Sequence, residues 1–365
     1  MKHNYSSSLR RALSAVVLLI VSTLSWAYSS KAGGIYYNIN DDGTSVTVTS
    51  GPSNTPGYSG DIVIPSTVVN GDKTYSVTSI ENGAFTGCYS LTSIDIPSSV
   101  TSIGENPFRH CSSLASVTVS VANPVYDSRE GCNAIIETQT NTLVVGCKNT
   151  IIPSSVTSIG DLAFMGCYSL TSIDLPDGVT SIGTGAFDSC YSLTFIDLPE
   201  GVTSIGKGAF CSCSSLTSMD IPDGVTSIGG STFHGCTSLT SVDIPSGVTS
   251  IGEAAFGGCS SLTTFICRAE KVPGCYDYSH PFHSVDKATL YVPFASINAY
   301  RAADGWKDFG TILPLEDYET GIDTPAAPQP DDASAAALYY TLGGQRVNAP
   351  VRGHIYIRSG RKVIY

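Results

Sequence analysis

Charge is scarce in this 365-residue chain, and positive charge scarcest: 14% of residues are charged, with 19 Lys and Arg against 31 Asp and Glu. The net charge of -12 excludes nucleic acid and anionic membranes as principal partners, because both select basic surfaces. No Gly-x-Ser-x-Gly elbow occurs, and the few histidines have no recurring Ser or Asp partners, so nothing points to nucleophilic catalysis. No Cys-x-x-Cys pair or regular Cys/His spacing offers a metal site. Past residue 27, no hydrophobic run reaches the roughly 20 residues a membrane-spanning helix needs.

The first 27 residues read as an export signal. Lys2, Arg10 and Arg11 form a basic start, residues 12–24 an apolar stretch, and Ser25, Trp26 and Ala27 a small-x-small cleavage site. A membrane anchor is the competing reading, but the stretch is short and carries Ser and Thr near its end. No cysteine follows closely enough to take a lipid. Removing the signal takes away three positive charges and no negative ones, which moves the net charge from -12 to -15. Acidity of that size keeps an exported protein soluble.

What the chain has in abundance is repetition. A unit of 23 residues, Ile/Leu-Pro-x-x-Val-Thr-Ser-Ile-Gly-x-x-Ala-Phe-x-x-Cys-x-Ser-Leu-Thr-x-Ile-Asp, returns without slip at Pro153, Pro176, Pro199, Pro222 and Pro245. A fixed period of that length marks stacked units, none able to bury its apolar side alone. Within one unit Leu170, Ile173 and Leu175 point inward while Ser172 and Asp174 face solvent, which is the pattern of a strand. Pro176 ends the strand. Gly178 permits the bend into Val179, Thr180, Ser181 and Ile182, a second short extended piece, and Gly183 turns the chain again before Ala186 and Phe187.

Earlier units are less regular: an insertion at residues 70–75 follows Pro65, and a divergent turn plus a hairpin near 124–150 follow Pro97. The expected fold is an α/β solenoid of about eight turns with a parallel β-sheet. Residues 28–60 are expected as an N-terminal β cap with a hairpin around Asp42 and Gly43, residues 61–267 as the solenoid, and residues 268–315 as the C-terminal cap. A Pro/Ala-rich linker follows at 316–335. Residues 336–365, with five basic and no acidic residues, alternate as a small β module.

Seven of the twelve cysteines, Cys88, Cys111, Cys167, Cys190, Cys213, Cys236 and Cys259, occupy one repeat position three residues after a phenylalanine. On a short helical turn both side chains share the inward face, so these read as buried free thiols packing as small hydrophobes. Cys132 and Cys147 flank the hairpin in a register that permits a disulfide, which is the expectation there. Cys267 and Cys275 also invite a disulfide, which outweighs a zinc set completed by His280 and His283.

The repeat, almost unbroken at 153–173, resembles the BspA-like branch of leucine-rich repeat proteins with 23-residue units of the Treponema type. The resemblance covers about residues 61–267. Residues 126–153 are similar to an insertion such proteins carry, and Leu290, Tyr291, Val292 and Pro293, followed by Tyr300 and Trp306, are similar to their C-terminal cap. It implies a right-handed solenoid on or outside a bacterial cell that adheres to host matrix or other cells, with no catalysis and no cofactor. The last module, from Leu342 through Val363, is similar to short sorting-type domains on exported proteins of anaerobic Gram-negative bacteria. One departure is that Gly178, Gly201, Gly224 and Gly247 replace the usual asparagine ladder, so the binding habits of ordinary leucine-rich repeats do not transfer.

Candidate ligand residues come from the outward strand positions. Asp174, Asp197, Asp220 and Asp243 recur at one of them, forming a row of carboxylates. At about 5 Å, two such charges repel by roughly 1 kcal/mol in water and about 3 kcal/mol at an effective dielectric of 20. Either neighbouring Thr and Ser absorb that cost, or a basic segment or cation relieves it. Phe195 stands where its siblings have Ser172, Ser218 and Ser241, and with Tyr168 and Tyr191 it makes an aromatic patch suited to a sugar or peptide, unless it is repeat drift.

The leading expectation is therefore a secreted or surface-bound, monomeric protein of a Gram-negative bacterium that binds a protein or glycan without chemistry. A polysaccharide-active enzyme on a parallel β-helix is the first alternative. Repeated copies of one aspartate give no distinct acid and base, and the Ala-Phe-x-x-Cys segment argues for a helical turn over a third strand. A purely structural spacer is the second.

Overall fold

The computed structural model describes residues 30–52, 57–275, 280–285 and 287–320, and four strands of the C-terminal module. The expected signal at 1–27 and the linker from 321 to 335 lie outside the described residues. The chain divides into two compact units after Ser128. Among the described residues no helix is long and apolar enough to cross a membrane.

The first unit opens with an antiparallel meander of Ser30–Ala32, Ile35–Ile39 and Ser45–Thr49. Asp42 closes the second turn by accepting bonds from the backbone of Thr44 and Ser45, at 2.7 and 2.8 Å. Ser45–Thr49 then pairs in parallel with Lys73–Ile80, which carries the inserted hairpin to Thr67–Asn70 and pairs onward with Ser102–Ile103. A second parallel sheet joins Gly60–Val63, Leu91–Ile96 and Ser116–Val119.

The second unit repeats the same plan on two faces. A hairpin of Ile135–Glu137 and Thr142–Val145 seeds one parallel ladder through Ser158–Ile159, Ser181–Ile182 and Ser204–Ile205, and the same repeat position goes on in Ser227–Ile228, Ser250–Ile251 and Gly274–Cys275. The other face pairs Ser172–Ile173 with Phe195–Ile196, then runs from Ser218–Asp220 through Ser241–Ile244, Thr264–Cys267, Thr289–Val292 and Thr311–Pro314. The C-terminal cap thus adds two more parallel strands instead of merely covering the end. That addition helps raise the total to about ten turns from the eight expected.

Between the faces the Ala-Phe-x-x-Cys segment is not a helix but a run of tight turns, as in Cys190 N–H to the Phe187 carbonyl at 3.1 Å. Two residues per unit adopt left-handed backbone there. One position holds Leu162, Gly185, Gly208, Ser231 and Ala254, the other Gly166, Ser189, Ser212, Gly235 and Gly258. An α-helix cannot carry such residues in sequence, which is why the expected helical turn does not form. Phe and Cys still share the inward side, as the three-residue spacing requires.

Stacked phenylalanines fill the core: Phe164, Phe187, Phe210, Phe233 and Phe256 are fully buried, with centroids 5.1 to 5.6 Å apart in successive pairs. Close approach between turns dictates the glycine of Ser-Ile-Gly. A Cβ on Gly206 would sit 2.4 Å from the Thr184 amide nitrogen, and one on Gly183 would sit 2.5 Å from that of Asp161.

Two cystine expectations and one linker boundary are corrected. Cys132 and Cys147 are buried and not joined in a disulfide, their thiols directed at the Ala134 and Asn133 carbonyls instead of at each other. Cys267 and Cys275 are likewise not joined, with the Cys267 sulfur 3.2 Å from the Tyr300 hydroxyl, which itself donates to the Ala269 carbonyl. Residues 316–320, expected in the linker, belong to a helix, Leu315–Thr320. In the C-terminal module Tyr339–Tyr340, Arg346–Val347, Ile355–Arg358 and Arg361–Ile364 form an antiparallel sheet.

Candidate recognition face

The outward positions of the second unit lie on backbone that is bonded on both sides. Thr194, Thr217, Thr240 and Thr263 each send their hydroxyl to the carbonyl of the equivalent Thr one turn earlier, at 3.0 to 3.3 Å. Those hydroxyls are therefore spent on the backbone and do not serve the aspartates.

Asp220 stands opposite Asp243 in the parallel register, and the pairing of Ile173 with Ile196 puts Asp174 next to Asp197 in the same way. Asp174, Asp197 and Asp220 are exposed and have no hydrogen bond or ion pair among the described residues. The first unit has a single aspartate at this position, Asp95, which stands between Val63 and Thr118 and faces no second carboxylate. Asp61 accepts from Thr92 and Ser93 at 2.8 and 2.6 Å, which holds its carboxyl below the usual range, and Asp95 accepts from Thr118. Hydroxyl neighbours thus engage both of these carboxylates, while three in the second unit stay bare.

The fourth, Asp243, has a partner that sequence reasoning missed. The Arg268 guanidinium grips it with Nε to Oδ1 at 2.9 Å and Nη2 to Oδ2 at 2.8 Å, and its Nη1 reaches Glu319 at 2.7 Å. Both carboxylates hold the guanidinium firmly protonated. Asp243 pairs with Ile266, two residues before Arg268, so the fork arises from strand register across 25 residues. The signal in the sequence was Arg268 itself, the first basic residue after Lys207.

Tyr168 and Tyr191 stack with centroids 5.0 Å apart and planes within 8°. Phe195, 54% exposed, lies on the strand opposite Ser172, four residues after Tyr191, itself 45% exposed. The structure thus brings the two tyrosines into contact and leaves Phe195 on the open strand beside Asp197. Among the described residues no group of three or more His, Cys, Asp or Glu is arranged to hold a metal ion.

Residues 68–132 and 136–263 match, as six copies, the family described as BspA type leucine rich repeat region. No curated protein is significantly similar to the chain. Among solved structures, a leucine-rich repeat protein from Bacteroides ovatus ATCC 8483 is 23% identical, with 79% of this chain and 77% of that one covered and a TM-score of 0.50. A T. pallidum leucine rich repeat protein is 29% identical over 64% of this chain and 90% of its own, with a TM-score of 0.36. A leucine rich cell surface protein from Faecalibacterium prausnitzii A2-165 is 23% identical over 78% and 94%, with a TM-score of 0.34. The first likeness shows the fold alone, and the other two superpose too loosely to add to it. With the repeat family matched over more than half of its length, the chain belongs to the BspA type leucine rich repeat family.

Proposed function

We propose that this chain is an exported binding protein, secreted or held at the surface of a Gram-negative bacterium, that engages a protein or glycan of a host or neighbouring cell. Binding uses the strand face of the second unit, and no chemistry follows. One observation carries this reading: three exposed aspartates in a row have no hydrogen bond or ion pair among the described residues, while the Arg268 guanidinium grips the fourth. A row of like charges costs stability, and Arg268 shows the kind of group that relieves it. Phe195, Tyr168 and Tyr191 add apolar contact beside it. The export signal expected at residues 1–27, the basic C-terminal module and the family support a place outside the cell.

The test is an array of matrix proteins and glycans probed with the full chain in physiological salt. The reading predicts a ligand whose binding weakens in the double variant Asp197→Asn, Phe195→Ser and with rising salt. A chain that binds nothing on such arrays would favour a structural spacer.

A further inference from the structure

A cavity of about 900 Å³ in the first unit belongs to no part of that face. Its charge is unlike the rest of the chain. Residues 30–128 hold three cations, Lys31, Lys73 and Arg109, against eight carboxylates, yet Lys31 lines the cavity and no carboxylate does among the described residues. The Lys31 ammonium is positioned, donating to the Tyr36 hydroxyl at 3.1 Å and standing 4.6 Å from the centre of that ring. Tyr36 is fixed in turn, since its backbone N–H donates to the Tyr58 hydroxyl at 3.0 Å and that hydroxyl donates to the Thr49 carbonyl at 2.6 Å. Much of the ordering that binding requires is therefore already done.

The rest of the lining suits a polyol. Ser50, Ser59 and Thr86 present hydroxyls that engage nothing else among the described residues, and five glycines bring bare backbone to the wall. A Cβ at Gly34, one of the five, would meet nothing within 4 Å. The volume falls within the roughly 300 to 1,000 Å³ common for small-ligand sites. A neutral sugar would leave the lone cation unused, and a simple carboxylate would leave the hydroxyls unused.

We propose that this cavity binds a carboxylate-bearing sugar, free or at the end of a longer glycan, with the carboxylate on Lys31 and the ring hydroxyls on Ser50, Ser59 and Thr86. The proposal shares no residue with the strand face, so each stands or falls separately. Calorimetry on the full chain with sodium glucuronate, a glucuronate-terminated disaccharide, glucose and sodium acetate tests it. Glucuronate should bind about tenfold more tightly than glucose or acetate, the difference one charge-assisted contact makes, and Lys31→Met should erase that margin. Lys31 is exposed, so an unchanged melting temperature should accompany the loss. Thr86→Val should weaken glucuronate and glucose alike. Tighter binding of the disaccharide would place the ligand at a glycan end, and equal or weaker binding would favour the free sugar. Glucuronate binding no tighter than glucose or acetate, or indifferent to Lys31→Met, overturns the proposal.

Discussion

The repeat cysteine does more than fill space. Cys190, Cys213, Cys236 and Cys259 each donate their thiol to the carbonyl of the phenylalanine one turn earlier, at 3.2 to 3.3 Å, and Cys111 does the same to Phe85 at 3.1 Å. A methyl at this position would pack as well but leave that carbonyl with one bond fewer. Burial pushes Cys167 and Cys259 up to about 12 from the ordinary 9.0, and Tyr37 up to about 12 from 10.0. An acid with a raised folded pKa keeps its proton in the folded chain after the unfolded chain has begun to lose it. The stability it contributes is complete below the unfolded value and is lost as pH rises through the folded one. Calorimetric melting should therefore be nearly flat up to about pH 8 and fall steadily above about pH 9. Stability that rises over the alkaline range would contradict the buried thiols.

Two glycines of one unit make a sharper test of stacking. Gly206 has backbone of the preceding turn within 2.4 Å of where a Cβ would go, whereas Gly201 has nothing closer than 3.5 Å. Neither is in the left-handed region. Gly206→Ala should cost at least about 2 kcal/mol, because the obstacle is backbone and cannot swing away. Gly201→Ala should lie within about 1 kcal/mol of the parent, on the stabilising side, through loss of freedom in the unfolded chain. Equal effects in denaturant melts would mean that the turns do not approach as described.

At the scale of elements, the strand and the turn have different legibility. Alternation in Leu170, Ile173 and Leu175 announced a strand, and those residues are buried or half-buried as it requires. The Ala-Phe-x-x-Cys segment gave the correct inward face but the wrong element, since a three-residue spacing suits successive tight turns as well as a helix. Left-handed backbone separates the two: the glycines at Gly166, Gly185, Gly208, Gly235 and Gly258 signal it, while Leu162, Ser231 and Ala254 at the same positions hide it. The helix Leu315–Thr320 escaped for a similar reason. It is short, and contacts distant in sequence help hold it: Glu319 to Arg268 at 2.7 Å and Tyr318 against Tyr291 at 5.0 Å. The Arg268 ion pairs are more than a quarter exposed on each side, so after solvent screening they are worth about 1 kcal/mol or less. Arg268→Ala should thus barely change global stability while speeding amide exchange across residues 315–320. Unchanged exchange there would detach the helix from the fork.

For the whole molecule, the period of 23 residues settled the architecture, because every unit must lend its apolar side to the next. Turn number was underestimated because the cap strands Thr289–Val292 and Thr311–Pro314 lack the repeat's sequence yet extend its sheet. The candidate face was legible in part. Asp174, Asp197, Asp220 and Phe195 sit outward as alternation demands, but only register over 25 residues reveals that Asp243 is taken by Arg268 and the other three are not. Likewise, the two cystine expectations rested on position alone, and thiol direction undid them.

The most direct test of a recognition face built from bare carboxylates and exposed rings is an array measurement with two forms of the full chain. One is the parent, and the other carries Asp174→Asn, Asp197→Asn, Asp220→Asn and Phe195→Ser, all at exposed positions where folding is undisturbed. The account predicts protein or glycan binding by the parent that weakens with salt, and its loss in the substituted chain at a melting temperature no lower than the parent's, since removing the row of like charges relieves repulsion. Binding retained in full by the substituted chain would contradict it.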